Sequence, residues 1–122
     1  MDVEARTIAV IDDDLRVRES LANLLLSYGY LADIYESAEQ FLRSDRLSRV
    51  CCIITDVHMR QMSGFGLLQH LKESNGAIPV IIITGNPSEE SAAFYLENGA
   101  AGFFKKPVDG SALVRLLNTV CR

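Results

Sequence analysis

The sequence predicts an α/β domain: five parallel strands in one open sheet, wound on both faces by helices. Three observations predict it. Short apolar runs rich in β-branched residues alternate with helical patterns, and the strand–helix unit recurs five times along the chain. Such runs, apolar at every position, are what strands buried on both sheet faces require. With 122 residues the chain has room for one domain, expected to span 1–122, and five strands suit an open sheet rather than the eight-stranded closed barrel.

The elements follow in order. Thr7 to Asp12 (TIAVID) reads as the first strand. A helix over Leu15 to Tyr28 follows, with Asp14 as its N-cap, Leu21, Leu24, Leu25 and Tyr28 at helical spacing, and Gly29 as its stop. Tyr30 to Tyr35 is a weaker strand. Ser37 and Gln40 form a capping-box pattern that opens a short helix through Phe41 and Leu42. Val50 to Asp56 (VCCIITD) is the third strand, and Gly64 to Glu73 a helix closed by the Asn75-Gly76 turn signal. Pro79 to Thr84 (PVIIIT) is the fourth strand. Asn86, Pro87 and Glu89 suit the N-cap, N1 and N3 of a helix that ends at Asn98-Gly99. Gly102 to Lys105 is the fifth strand, and Asp109 caps a last helix with Leu113, Leu116, Leu117 and Val120 on one face.

Composition narrows the function. The chain is 48% hydrophobic and 23% charged, which suits a folded domain rather than a disordered tail. Its formal net charge of −4 lacks the basic face that nucleic-acid binding needs, so no nucleic acid is expected on this domain. The longest apolar runs, Val50 to Ile54 and Val80 to Ile83, fall far short of the roughly 20 residues of a membrane helix. MDVEAR opens without a signal-peptide core. Three cysteines without metal-ligand spacing read as free thiols in a reducing cytoplasm, with Cys51 and Cys52 on opposite sheet faces.

In an open α/β sheet, ligands bind beyond the carboxyl ends of the strands. The first strand ends in Asp12, Asp13 and Asp14, the third in Asp56, the fourth in Thr84, and the fifth runs into Lys105, Lys106 and Pro107. One edge therefore collects carboxylates, a hydroxyl and an ammonium. Carboxylates crowded together repel, and a divalent cation relieves that cost. Oxygen donors without a His/Cys cluster favour Mg²⁺ over zinc. A carboxylate beside Mg²⁺, a hydroxyl and a lysine is a phosphoryl-transfer constellation, with the carboxylate as nucleophile.

These residues stand in four motifs, VIDDD, IITDVHMRQMSG, IIITG and FFKKP, each ending its own strand. In that order the chain resembles the receiver domain of bacterial two-component response regulators over essentially its whole length. The resemblance implies the flavodoxin-like strand order 2-1-3-4-5. It implies Asp56 as phosphoacceptor, and Asp13, Asp56 and the backbone carbonyl of His58 as Mg²⁺ ligands, with Asp12 acting through a metal-bound water. It implies that Thr84 hydrogen-bonds one phosphoryl oxygen and that Lys106 pairs with another. Phe103 would be the aromatic switch residue that moves with Thr84, and the Lys106-Pro107 bond is among those expected to be cis. The partner would be a sensor histidine kinase. Phosphorylation would remodel the surface of the fourth helix, fifth strand and fifth helix to control an output, with a homodimer through that surface. The chain would catalyse only its own phosphotransfer and autodephosphorylation, in the cytoplasm and away from membranes.

The sequence departs from the family pattern at Arg60, where a proline often follows Met59, and at Gly85, where Ala is common. His58 and Asn86 stand two residues after Asp56 and Thr84, positions that the resemblance links to phosphoryl lifetime. The motif wording is most similar to receivers that precede a helix-turn-helix DNA-binding domain, so the chain reads as a stand-alone receiver or part of a longer regulator. Two alternatives stay open. A haloacid-dehalogenase-like phosphatase would use Asp12-Asp13-Asp14, but Arg16 occupies the place of its Thr or Val, and only Asp109 could serve as a later acid. A degenerate receiver that merely binds a partner would not need the full set of acids. Lys105, His70, Met59 and Met62 read as surface or packing residues.

Overall fold

The computed structural model describes residues 6–59, 61–74, 78–85 and 92–121. Its elements run β1 (Thr7–Ile11), α1 (Leu15–Ser27), β2 (Leu31–Tyr35), α2 (Ala38–Arg43), a 3₁₀ turn (Leu47–Arg49), β3 (Cys52–Asp56), α3 (Gly64–Ser74), β4 (Val80–Thr84), α4 (Ala92–Glu97), β5 (Gly102–Lys105) and α5 (Gly110–Val120). All pairings are parallel and the sheet order is β2-β1-β3-β4-β5, as expected.

Period-2 alternation sends successive strand residues to two separate cores. Ala9, Ile11, Ile53 and Ile82 meet Phe41 of α2, Leu67 and Leu71 of α3 and Tyr95 of α4. Ile8, Val10, Ile54, Ile81 and Ile83 meet Leu21 and Leu25 of α1 and Leu113 and Leu117 of α5. Every residue of β3 and β4 is buried, which is why these runs stay apolar until their carboxyl ends, at Thr55 and Asp56 in β3 and Thr84 in β4. The last of these, Asp56 and Thr84, are polar groups placed where the sheet opens.

The caps explain where helices begin. Asp14 accepts from Arg16 N–H at 2.9 Å, and Asp109 from Ala112 N–H at 3.2 Å. Ser37 Oγ accepts from Gln40 N–H at 3.0 Å. The reciprocal bond of a capping box reaches one residue further back than expected: Gln40 Oε1 accepts from Glu36 N–H at 2.8 Å. Gly29 and Gly99 end their helices at φ +90° and +102°, the left-handed region that glycine enters without strain.

Five expectations are corrected. Tyr28 lies at the end of α1 with half its surface exposed, past the last turn that faces the core. Leu31, not Tyr30, opens β2, and β3 starts at Cys52, not Val50. Cys51 sits in a bend where its N–H bonds Thr7 O at 2.9 Å, so strict alternation does not reach it. Cys51 and Cys52 both pack on the α1/α5 core. The thiols are not all free: Cys51 is joined to Cys121 by a disulfide with Cα atoms 5.5 Å apart, and Cys52 is the buried free thiol. The signals at Asn75-Gly76 and at Asn86, Pro87 and Glu89, and the Arg60 position, lie outside the described residues. Among the described residues no helix is long and apolar enough to cross a membrane.

Candidate functional site

The carboxyl ends of β1, β3 and β5 bring Asp12, Asp13, Asp56 and Lys106 together. Asp12 is fully buried and Asp56 nearly so, whereas Asp13 faces solvent. One carboxylate oxygen from each of the three acids lies within 4.8 Å of the others. Lys106 reaches in from the turn after β5, its Nζ 2.8 Å from Asp12 Oδ2 and 3.2 Å from Asp56 Oδ2. The Lys106-Pro107 bond is cis.

Backbone contacts fix the two buried acids. Asp12 Oδ1 accepts from Asp14 N–H at 2.9 Å, and the Asp12 carbonyl accepts from the Arg18 guanidinium at 2.7 Å. Thr55 Oγ1 donates to the Asp56 carbonyl at 3.1 Å. Gly64 lies so close to this peptide that an added Cβ would run into the Asp56 carbonyl oxygen, with Asp56 C and Val57 Cα each 3.1 Å away. A side chain there would push the loop off the acid strand.

Electrostatics follow from burial. Desolvation, followed by the charge of Asp12, pushes the Asp56 pKa up; Lys106 and the His58 backbone N–H oppose this. Burial acts to lower the Lys106 pKa, but the Asp12 and Asp56 carboxylates outweigh it and hold the ammonium above its ordinary value. One feature stays uncompensated: Asp56 Oδ1 is buried and has no hydrogen-bond partner among the described residues. Three carboxylates, an orphaned buried oxygen and a single nearby ammonium fit a hard divalent cation such as Mg²⁺, which takes oxygen donors and removes carboxylate repulsion.

Thr84 is buried at the end of β4, one residue beyond Ile83, the register partner of Asp56. Its carbonyl accepts from Lys106 N–H at 2.8 Å, which ties the lysine's backbone to β4. Ile82 faces the α2/α3/α4 core, so alternation puts Thr84 on that face too. Phe103, the register partner of Ile82, packs on the same face with its ring stacked on Tyr95 at 5.5 Å. Thr84 and Phe103 are thus neighbours on one face, and Phe103 is set back from the carboxylates. His58 is exposed in the loop after β3. Lys105 and His70 are exposed, and Met59 and Met62 pack against the core, as read from the sequence. An open groove of about 640 Å³, lined by Asp13, Asp14, Leu15, Glu36, Ser37 and Gln61, leads to the acids.

Several contributors were not singled out by sequence reasoning. Gly64 stands in the quoted MSG motif, but its role depends on a backbone approach that no spacing reveals. Ser63 caps α3, accepting from Gly66 N–H at 3.0 Å, and the three-residue spacing could have found it. Arg18 and Glu39 act through backbone partners on other segments, for which sequence carries no signal.

Comparison with known proteins agrees with this geometry. A family model described as the response regulator receiver domain matches residues 8–118. The chain is 40% identical over 111 residues to the transcriptional regulatory protein FixJ of Azorhizobium caulinodans, covering 91% of this chain and 53% of that protein. It is 37% identical over 107 residues to the response regulator protein TodT of Pseudomonas putida, covering 88% and 47%. The chain therefore spans about half the length of these curated relatives. Among solved structures, a response regulator receiver protein from Pseudomonas putida superposes with a TM-score of 0.85 at 30% identity, covering 97% of this chain and 99% of that one. A five-stranded sheet in the order 2-1-3-4-5, an acidic pocket with its lysine, and a family match across nearly the whole chain lead to one assignment: the chain belongs to the receiver domain family of two-component response regulators, whose members are phosphorylatable signalling switches.

Proposed function

We propose that residues 1–122 form a cytoplasmic receiver domain in which Asp56 accepts a phosphoryl group from a partner histidine kinase. The observation that carries this reading is the Asp56 carboxylate itself: one oxygen sits 3.2 Å from the Lys106 ammonium, and the other is buried with no donor among the described residues. In the transfer, the bond between phosphorus and the donor's histidine nitrogen breaks and a bond from phosphorus to an Asp56 oxygen forms. Lys106 neutralises one phosphoryl oxygen and the Thr84 hydroxyl donates to another. Asp12, Asp13, Asp56 and the His58 carbonyl would hold Mg²⁺, which supplies charge neutralisation between the acids and the incoming anion. The groove beside Asp13, Asp14 and Gln61 gives the donor its approach.

Phosphorylation adds charge at a buried edge and draws Thr84 toward it, opening space on the face where Phe103 lies. The α4, β5 and α5 surface then changes and controls an output, in part through a homodimer. Moving such an equilibrium from mostly off to mostly on takes roughly 5 kcal/mol of differential stabilisation. In a longer regulator like the transcriptional relatives, that output would be a DNA-binding segment, with no nucleic acid bound by this domain. The chemistry is the domain's own phosphotransfer and autodephosphorylation, rather than turnover of a separate substrate.

The test is labelling by acetyl phosphate with Mg²⁺, read by intact mass. Wild type should gain one phosphoryl group, and both Asp56→Asn and removal of Mg²⁺ should abolish it. Equal labelling of wild type and Asp56→Asn would overturn the assignment.

A further inference from the structure

Glu39 lies in the first turn of α2, an element that contributes no acid to the site. Its Oε2 accepts from Met62 N–H at 2.8 Å, while its Oε1 is buried and, among the described residues, has no hydrogen-bond partner. Met62 belongs to the stretch between β3 and α3. That stretch begins directly after Asp56 and carries His58, whose backbone N–H acts on the Asp56 carboxylate. The sequence has Arg60 in this stretch, not a proline that would fix φ. Something else must hold the loop.

The other ties are weaker or local. Gly64 N–H bonds Val57 O at 3.1 Å within the loop, Thr55 Oγ1 is 4.0 Å from Met59 Sδ, and Met59 and Met62 rest on the core. Among the described residues, the Glu39 carboxylate is the charged group seen to hold this loop from another helix. A carboxylate accepting a backbone N–H makes a charge-assisted bond, stronger than a neutral one. Leaving its second oxygen buried and unpaired costs free energy that a fully exposed side chain would avoid. The bond to Met62 offsets that cost only by ordering the loop.

We infer that Glu39 is a positioning residue for phosphoryl transfer: by clamping Met62 N–H it holds the β3–α3 loop so that the loop backbone completes the Asp56 site. The inference rests on the phosphoacceptor reading above and adds a group outside the acid cluster to it. Glu39 touches neither phosphate nor metal. It acts through the loop, and its loss should appear as weaker Mg²⁺ binding and slower labelling.

Three variants of the full chain test this. Glu39→Met keeps length and helix propensity but removes the acceptor. Glu39→Gln keeps a carbonyl acceptor. Glu39→Asp keeps the charge but is too short to reach Met62. Met62 amide exchange is followed by NMR in the metal-free protein, Mg²⁺ affinity by calorimetry, and Asp56 labelling by mass. In Glu39→Met and Glu39→Asp, Met62 should lose protection and Mg²⁺ affinity should fall about 10-fold, as when outer-shell partners of a metal site are removed. Glu39→Gln should stay within about 3-fold of wild type, since a neutral acceptor forfeits only part of the bond. Unchanged Met62 exchange in Glu39→Met overturns the clamp, as does lost protection with unchanged Mg²⁺ affinity. A Gln variant as impaired as the Met variant overturns it too, because the hydrogen bond would then not be what matters. If Glu39→Met does not fold, Glu39→Asp decides by the same criteria. Failure of wild type to label at Asp56 would sink the phosphoacceptor reading alone, since exchange and Mg²⁺ binding are read without a phosphate donor.

Discussion

At the residue scale, burial pushes two acids of β3 in the same direction, and only one of them has an ammonium to oppose it. Asp56 is made costly to ionise by burial and by Asp12, and Lys106 partly offsets that cost, so the site is primed for a cation. Cys52 has no such compensation: burial pushes its thiol up to about 12 from an ordinary value of 9.0. The sign of the consequence is fixed. The folded state keeps the proton that the unfolded state releases, so stability is full below pH 9.0 and is lost as pH rises toward about 12. The slope is about 1.4 kcal/mol per pH unit across that window. Urea unfolding at pH 8, 10 and 11, comparing wild type with Cys52→Ala, should show wild type losing stability faster above pH 9 by about this slope. Parallel losses in the two proteins would mean that Cys52 is open to solvent. The same burial predicts that iodoacetamide leaves Cys52 unmodified in the native state, because the thiolate is the nucleophile.

At the element scale, the N-caps separate capping aspartates from those of the acid pocket. Asp14 is exposed and accepts from Arg16 N–H, whereas Asp12 and Asp56 are buried against Lys106. Asp14→Ala should therefore cost about 1 kcal/mol of stability, the usual worth of a cap. Labelling of Asp56 by acetyl phosphate should stay within about 2-fold of wild type, since a lost cap acts on the helix end and not on the acids. A 10-fold loss of labelling would move Asp14 into the metal site. This division also marks what was legible in the sequence. The order of elements and the strand-end acids could be read because periodicity and the sheet-edge rule act locally, as at Thr7–Ile11 and Cys52–Asp56. Contacts between segments could not. Glu39 finds Met62 N–H, Arg18 finds the Asp12 carbonyl, and Tyr95 stacks on Phe103 only after folding sets their distances. Tyr28 fits the helical spacing yet is exposed, because α1 has already run past the sheet where it falls.

At the scale of the whole molecule, the Cys51–Cys121 bond joins the approach to β3 with the end of α5, closing a separation of 70 residues. Cys121 is buried on the α1/α5 core, and its N–H bonds Leu117 O at 2.8 Å, so the last turn of α5 is already docked before the sulfurs are considered. The bond therefore acts chiefly on the unfolded chain. Closing a loop of this length removes unfolded-state entropy worth about 4 kcal/mol. For a domain of this size that corresponds to a Tm change of roughly 15 °C. The cytoplasm proposed for this domain holds thiol reductants, and the half-buried Cys51 is the sulfur that a reductant can approach. The domain should then exist at two stabilities with one fold. Calorimetry of wild type with and without a phosphine reductant should show the drop in Tm, and Cys51→Ser should sit at the lower value under both conditions. Three titratable thiols in the unreduced, denatured protein, together with a reductant-independent Tm, would show that the bond does not form. A lower Tm with an unchanged rate of Asp56 labelling would show that the α5 tether governs the lifetime of the fold while the acid site keeps its geometry from β1, β3 and Lys106.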